Sequence, residues 1–241
     1  VDAVSRFGKF IDMDCGGTHL IFHLARAGWL RWSDALPATV IRPGKSPIAL
    51  RVRLDDGSGF DLTEAGTKKR LAAYVVGSPE QVPGIASLGP DPLDPGFTEQ
   101  EFTAILHGRR AQIKGVLRDQ GIIAGIGNAY SDEILHVAKM SPFAIAGSLD
   151  ADAVARLYEA MRETLAAAVS AASGKPAAEL KDAKRAGMRV HGRTGEACPE
   201  CGYEFPPPKR QQHEAKASTE GILSGEVSTT VHAVHGVFYT V

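Results

Sequence analysis

The 241-residue chain carries 27 Lys and Arg against 28 Asp and Glu and is 44% hydrophobic, enough apolar material for one or two globular domains with real cores. Balanced charge neither points to a nucleic-acid partner nor excludes one, so any basic surface must come from how the charges are arranged. Three cysteines, Cys15, Cys198 and Cys201, are too few for a secreted disulfide framework and fit a reducing cytoplasm. No run approaches the roughly 18 apolar residues of a membrane span, and the opening Val-Asp-Ala-Val-Ser-Arg lacks a signal peptide's apolar core. A soluble, cytoplasmic protein is expected. The first residue is Val rather than Met, which reads either as a non-standard start or as a lost beginning.

Residues 1 to about 77 read as strands: 10–14, 19–23, 48–54 and 71–76 are short β-favouring runs separated by Gly, Pro and Asp turn signals. Cys15-Gly16-Gly17 fits a hairpin turn, and residues 42–47 fit an exposed loop. A proline-rich bridge, 79–95, holds five prolines that should resist regular structure and suit a domain boundary. Helical signals follow. Thr98 with Glu101 three residues on is a capping box ahead of Phe102, Ile105 and Leu106. Further helix starts are legible at Ser131 and at Ser148, the latter before the Ala-rich stretch 150–172. From Gly187 onward helix signals fade, and 227–241 reads as one or two strands.

The most informative stretch is Ile113-Lys114-Gly115-Val116-Leu117-Arg118-Asp119-Gln120, then Ile122-Ile123-Ala124-Gly125-Ile126-Gly127-Asn128-Ala129-Tyr130-Ser131-Asp132-Glu133. It describes a helix, an apolar turn with two glycines, and a second helix. Such a turn can present bare N–H groups near a helix start, which favour an anionic oxygen. A tight helix–helix corner, with glycines that merely permit packing, is the alternative. Lys9 in Arg6-Phe7-Gly8-Lys9-Phe10, and His23 in His23-Leu24-Ala25-Arg26-Ala27-Gly28, taken alone, would be a solvated strand lysine and a satisfied polar residue at a strand end.

Taken together, these segments resemble the formamidopyrimidine-DNA glycosylase/endonuclease VIII family over roughly residues 1 to 202, and the glycine turn resembles its helix-two-turn-helix signature. The resemblance implies an α+β fold: the remainder of a β-sandwich domain at 1–78, a proline-rich linker at 79–97, a helix-two-turn-helix DNA-binding domain at 98–186, and a partial zinc-finger-like hairpin with a divergent tail at 187–241. It implies an enzyme that excises oxidised bases and cleaves abasic sites, working as a monomer on damaged double-stranded DNA. By residue it makes Asn128 a phosphate contact in the turn of Gly125, Ile126 and Gly127, and Lys9 and His23 contacts to phosphates near the extruded nucleotide. Two departures bear on lesion preference. Arg26 stands where the family often has a void-filling Met, and Arg70-Leu71 falls where an Arg-Phe pair is usual.

The last motif runs from Val190-His191-Gly192-Arg193 into Cys198-Pro199-Glu200-Cys201. A Cys-x2-Cys knuckle places two thiolates on one tetrahedral ion and needs two more ligands. The segment resembles the first half of the family's four-cysteine zinc hairpin, so a structural zinc on Cys198 and Cys201 is implied, but the second cysteine pair is absent. His232 and His235 could offer imidazoles. A divergent or frame-shifted terminus is the other reading. The family's amino-terminal proline nucleophile and following glutamate also do not appear, so catalysis is expected of the intact form and damaged-DNA binding of these residues. A non-catalytic binder and a decayed gene product are the alternatives.

Overall fold

The computed structural model describes residues 1–39, 46–65, 67–198 and 202, with the backbone of 233–234 and 237–238. The first 76 residues form two antiparallel sheets. β1 (Ala3–Phe7), β2 (Phe10–Asp14), β3 (His19–His23) and β7 (Ala72–Val76) make one, in the order β1-β2-β3-β7; β4 (Gly28–Ser33), β5 (Ile48–Arg53) and β6 (Gly59–Glu64) make the other, in the order β4-β6-β5. Alternation along β3 sets the layers. Phe22 and Met13 face Phe60 and Leu62 of the second sheet, with the Phe22 and Phe60 rings 5.6 Å apart, while neighbouring Ile21 packs on the opposite face against Val82 and Ile85.

β1, β4 and β6 go beyond the four predicted runs. β4 (Gly-Trp-Leu-Arg-Trp-Ser) and β6 (Gly-Phe-Asp-Leu-Thr-Glu) each open on a glycine and carry charge, so local propensity is weak and sheet pairing decides. β6 is the central strand of its sheet, and its polar members are satisfied there: Asp61 takes a bidentate contact from Arg51, at 2.7 and 2.8 Å.

Residues 79–95 were expected to be irregular but fold into a strap. Pro79 opens a 3-10 turn (Pro79–Gln81) and Pro83 opens α1 (Pro83–Ala86); at a first helical position proline's missing N–H costs nothing. The strap buries Val82 and Ile85 on the first sheet and then joins the helical body. The Gly89 N–H donates to the Gln120 carbonyl at 2.9 Å, and the Ala124 N–H donates to the Pro90 carbonyl at 2.9 Å. A Cβ on Gly89 would lie 2.4 Å from the Ile122 carbonyl oxygen, so only glycine allows this approach.

The helical body holds α2 (Glu99–Leu106), α3 (Ile113–Arg118), α4 (Asn128–Val137), α5 (Ala151–Ala172) and α6 (Leu180–Ala186). Thr98 caps α2 by accepting the Glu101 N–H at 3.2 Å. α5 is capped by Asp150, which accepts from Ala153 at 2.7 Å, rather than by Ser148, which sits in a 3-10 turn. α4 begins three residues before the predicted Ser131, because extended Gly127 (φ −119°, ψ −172°) serves as its N-cap. Ser131 is buried and donates its hydroxyl to the Asn128 carbonyl at 2.8 Å. Phe102, Leu106, Ile113, Leu117, Ile123, Ile126, Ile134, Leu157 and Met161 form the core beneath. β8 (Ala233–Val234) pairs antiparallel with β9 (Val237–Phe238) inside the predicted strand region. Cys201, His232 and His235 lie outside the described residues.

Candidate nucleic-acid interface

The turn between α3 and α4 is held by its own backbone geometry and side-chain hydrogen bonds. Gly125 takes φ +86°, a left-handed conformation that a side chain would strain. The Gln120 side chain spans the turn: its Nε2 donates to the carbonyls of Ile126 at 2.7 Å and Arg118 at 2.9 Å, and its Oε1 accepts the Gly125 N–H at 3.0 Å. Two expectations shift. The Gly125 N–H is consumed inside the turn, and the Ile126 side chain is fully buried in the helical core, so these residues shape the turn while other groups face outward. Gln120 stood in that motif without a role; an amide two residues past a helix end, beside a glycine turn, was the available signal.

The outward groups belong to the start of α4. Among the described residues no hydrogen bond uses the N–H groups of Gly127, Asn128, Ala129 or Tyr130. These are the orphan donors at the positive end of a ten-residue helix. Asn128 is exposed, and its side chain caps nothing.

The β1–β2 hairpin lies against this turn. An added Cβ on Gly8 would be 3.4 Å from the Gly125 nitrogen, and one on Gly127 would be 3.2 Å from Lys9 Nζ. Arg6 fixes the hairpin tip by donating to the Gly8 carbonyl at 2.9 Å and pairing with Asp91 of the strap at 2.7 Å. Lys9 is open to solvent at the surface, yet partial desolvation lowers its pKa below the ordinary 10.5, and the charges of Arg118 and Lys184 lower it further. His23, opposite Phe10 in the strand register with ring centroids 4.9 Å apart, also has a lowered pKa, from burial first and then from Lys9. Its Nδ1 accepts the Ala25 N–H at 3.1 Å, so the neutral ring carries its proton at Nε2 and can donate there.

Arg26 and Arg70 are both exposed, and no contact among the described residues ties either to the cluster around Lys9. Arg26 rides a tight loop in which Ala25 has φ +52° and the Gly28 N–H donates to the Leu24 carbonyl at 2.9 Å. Buried Glu64 shapes the backbone at Arg70, accepting its N–H at 2.8 Å and that of Leu71 at 3.2 Å.

Acidic residues of α4 seat the approach to the cysteine segment. Buried Glu133 accepts the N–H groups of Arg189, Val190 and His191 at 2.7, 3.0 and 2.8 Å. Asp132 bridges Lys114 at 2.6 Å and His191 Nδ1 at 2.8 Å. Cys198 is buried beside Val190, and its carbonyl accepts the Gly202 N–H at 2.8 Å. No group of three or more candidate metal ligands occurs among the described residues. A tetrahedral zinc needs four such ligands, of which the described residues supply Cys198.

A β-sandwich hairpin and a preformed helical turn that together present cations and unpaired N–H groups define a protein built to hold anionic backbone. The family described as "Formamidopyrimidine-DNA glycosylase H2TH domain" matches residues 88–178. A formamidopyrimidine-DNA glycosylase of Moorella thermoacetica is 35% identical over 212 residues, covering 84% of this chain and 74% of that protein. An uncharacterized formamidopyrimidine-DNA glycosylase-like protein of Mycobacterium tuberculosis is 53% identical over 116 residues, covering 48% of this chain and 72% of that protein. Among solved structures, the Lactococcus lactis Fpg complex with DNA containing an abasic site superposes with a TM-score of 0.71 at 25% identity, covering 84% of this chain and 74% of that one. The MutM (Fpg) protein of Thermus thermophilus gives 0.66 at 30% identity, with 83% and 74% covered. The chain belongs to the formamidopyrimidine-DNA glycosylase family. No helix among the described residues is long and apolar enough to cross a membrane.

Proposed function

We propose that this protein serves base-excision repair as a DNA glycosylase with associated abasic-site lyase chemistry, acting on oxidised bases and abasic sites in double-stranded DNA. The observation that carries this reading is the meeting of Lys9 with the open N-terminus of α4 beside Gly127. Extruding a nucleotide costs a few kcal/mol of stacking and pairing. Charge-assisted hydrogen bonds to the distorted backbone, about 1.5–3 kcal/mol each, offset that cost. In this reading Asn128 and the first-turn N–H groups of α4 hold one phosphate, while Lys9 and the Nε2 proton of His23 hold the phosphates beside the extruded nucleotide. Gly125, Ile126 and Gly127 give the turn its shape. Arg26 fills the space the base vacates, stacking its guanidinium on a neighbouring base, and Arg70 reaches the duplex next to it.

The protein acts as a monomer in the cytoplasm. Zinc, where bound, is structural and sits on the Cys198–Cys201 knuckle; with one cysteine pair, metal analysis should find less than one tightly held ion per chain. The functional test titrates the protein with duplexes that carry an abasic-site analogue and with undamaged duplexes. A preference of at least about tenfold for the abasic duplex, or about 1.4 kcal/mol, is expected. Equal affinities would overturn the reading. Borohydride trapping on natural abasic DNA reads the lyase step separately.

A further inference from the structure

Lys9 is not the only cation at the junction. Arg118, the last residue of α3, and Lys184 of α6 act on it electrostatically, so three elements distant in sequence send positive charge to one place. Each also has a contact at the glycine turn or at the start of α4. The Lys184 ammonium lies over the Tyr130 ring, 5.6 Å from its centroid, and Tyr130 is in the first turn of α4. The Arg118 carbonyl accepts from the same Gln120 amide that spans the glycine turn. None of the ion pairs among the described residues involves Lys9, Arg118 or Lys184. The nearest buried carboxylate on α4, Glu133, is occupied by three backbone N–H groups. Like charges gathered with no ion-paired carboxylate repel one another, and the arrangement becomes favourable when an anion enters.

We infer that Arg118 and Lys184 are DNA-binding residues that, with Lys9 and the start of α4, enclose a phosphodiester of the duplex. This inference rests on the DNA-binding reading above and adds two ligands to it, one of them on a helix from the carboxyl-terminal side of α5. Clamped from three directions, the phosphate is fixed in position as well as neutralised. Lys184 rests on an aromatic face, so its ammonium is oriented before DNA arrives.

Salt dependence separates this role from a structural one, because removing one cation from a phosphate reduces the slope of log K against log salt by about 0.9. The slope is measured on abasic-analogue duplex for the unmodified chain, Arg118→Gln, Lys184→Gln, Lys184→Arg and, as a control of equal charge change, exposed Lys175→Gln. Arg118→Gln and Lys184→Gln should each weaken binding about five- to tenfold and flatten the slope by about one. Lys184→Arg, which keeps the charge and the stack, and Lys175→Gln should both retain the parent slope. Parent-like slopes for Arg118→Gln and Lys184→Gln would overturn the inference while leaving the proposed function intact. Failure of the unmodified chain to prefer the abasic duplex would instead remove the functional reading. Equal flattening by Lys175→Gln would reduce the effect to net charge and also overturn the inference.

Discussion

Replacing Asn128 by alanine isolates the phosphate contact from the fold. The side chain is exposed, caps nothing and occupies the first position of α4 after Gly127, so its removal breaks no hydrogen bond in the free protein. Alanine is the better helix former by a few tenths of a kcal/mol, and Tm should stay level or rise slightly. On DNA the amide would donate to a phosphate oxygen, a charge-assisted bond discounted here for solvent exposure to about 1–2 kcal/mol. That corresponds to roughly 5- to 30-fold in Kd for abasic-analogue duplex. A phosphate contact reads no base, so the loss should be uniform across flanking sequences. The assay pairs a DNA titration with a melting curve on the same variant. Unchanged affinity, or a loss of affinity that tracks a fall in Tm, would refute the reasoning.

Glu133→Ala should have the opposite profile: one buried and two half-buried N–H groups lose their acceptor, costing about 3 kcal/mol, or roughly 6–12 °C in Tm for a chain of this size, and calorimetry reads it directly. The two turn glycines should also separate. Gly125→Ala forces a side chain to φ +86° and should cost about 1–2 kcal/mol of stability, whereas Gly127→Ala meets ordinary backbone but crowds Lys9 Nζ, so it should weaken DNA binding with little change in Tm. Finally, a phosphate beside Lys9 raises its pKa from the lowered free value, so binding takes up a proton and affinity should fall as pH rises through that value, below 10.5. Lys9→Met should flatten the alkaline limb, and a limb that persists unchanged would refute its assignment to Lys9.

Sequence patterning revealed the features with local causes. The Cys15-Gly16-Gly17 hairpin, the Thr98 cap and the helix–turn–helix around Gly125 were all readable because their turn residues and caps act within a few positions. What escaped depends on contacts distant in sequence. β6 is a strand because it sits between β4 and β5, and the prolines of the strap are ordered because Val82 and Ile85 are buried on the first sheet. Ser131 read as a cap by residue type, but Gly127 took that place and the serine turned inward. Among the candidate-site groups, Lys9, His23 and Asn128 were proposed through family resemblance. Arg118 and Lys184 were not, since charges on α3 and α6 reveal their convergence only once the chain is folded.

The strap has a bearing on how damage is found. A proline-rich segment between two bodies usually acts as a hinge, but this one is fastened at both ends: Val82 and Ile85 are buried on the sandwich, Gly89 and Pro90 are bonded to the α3–α4 turn, and Asp91 is tied back to Arg6 of β1. The two walls of the candidate interface are therefore tied together through the strap, and a duplex held by both would have to bend to fit them. How readily a duplex bends depends on what has happened to its stacking. An intact stretch resists, while a site that has lost a base or a partner yields cheaply. Walls tied in this way would favour a soft duplex before any base is inspected.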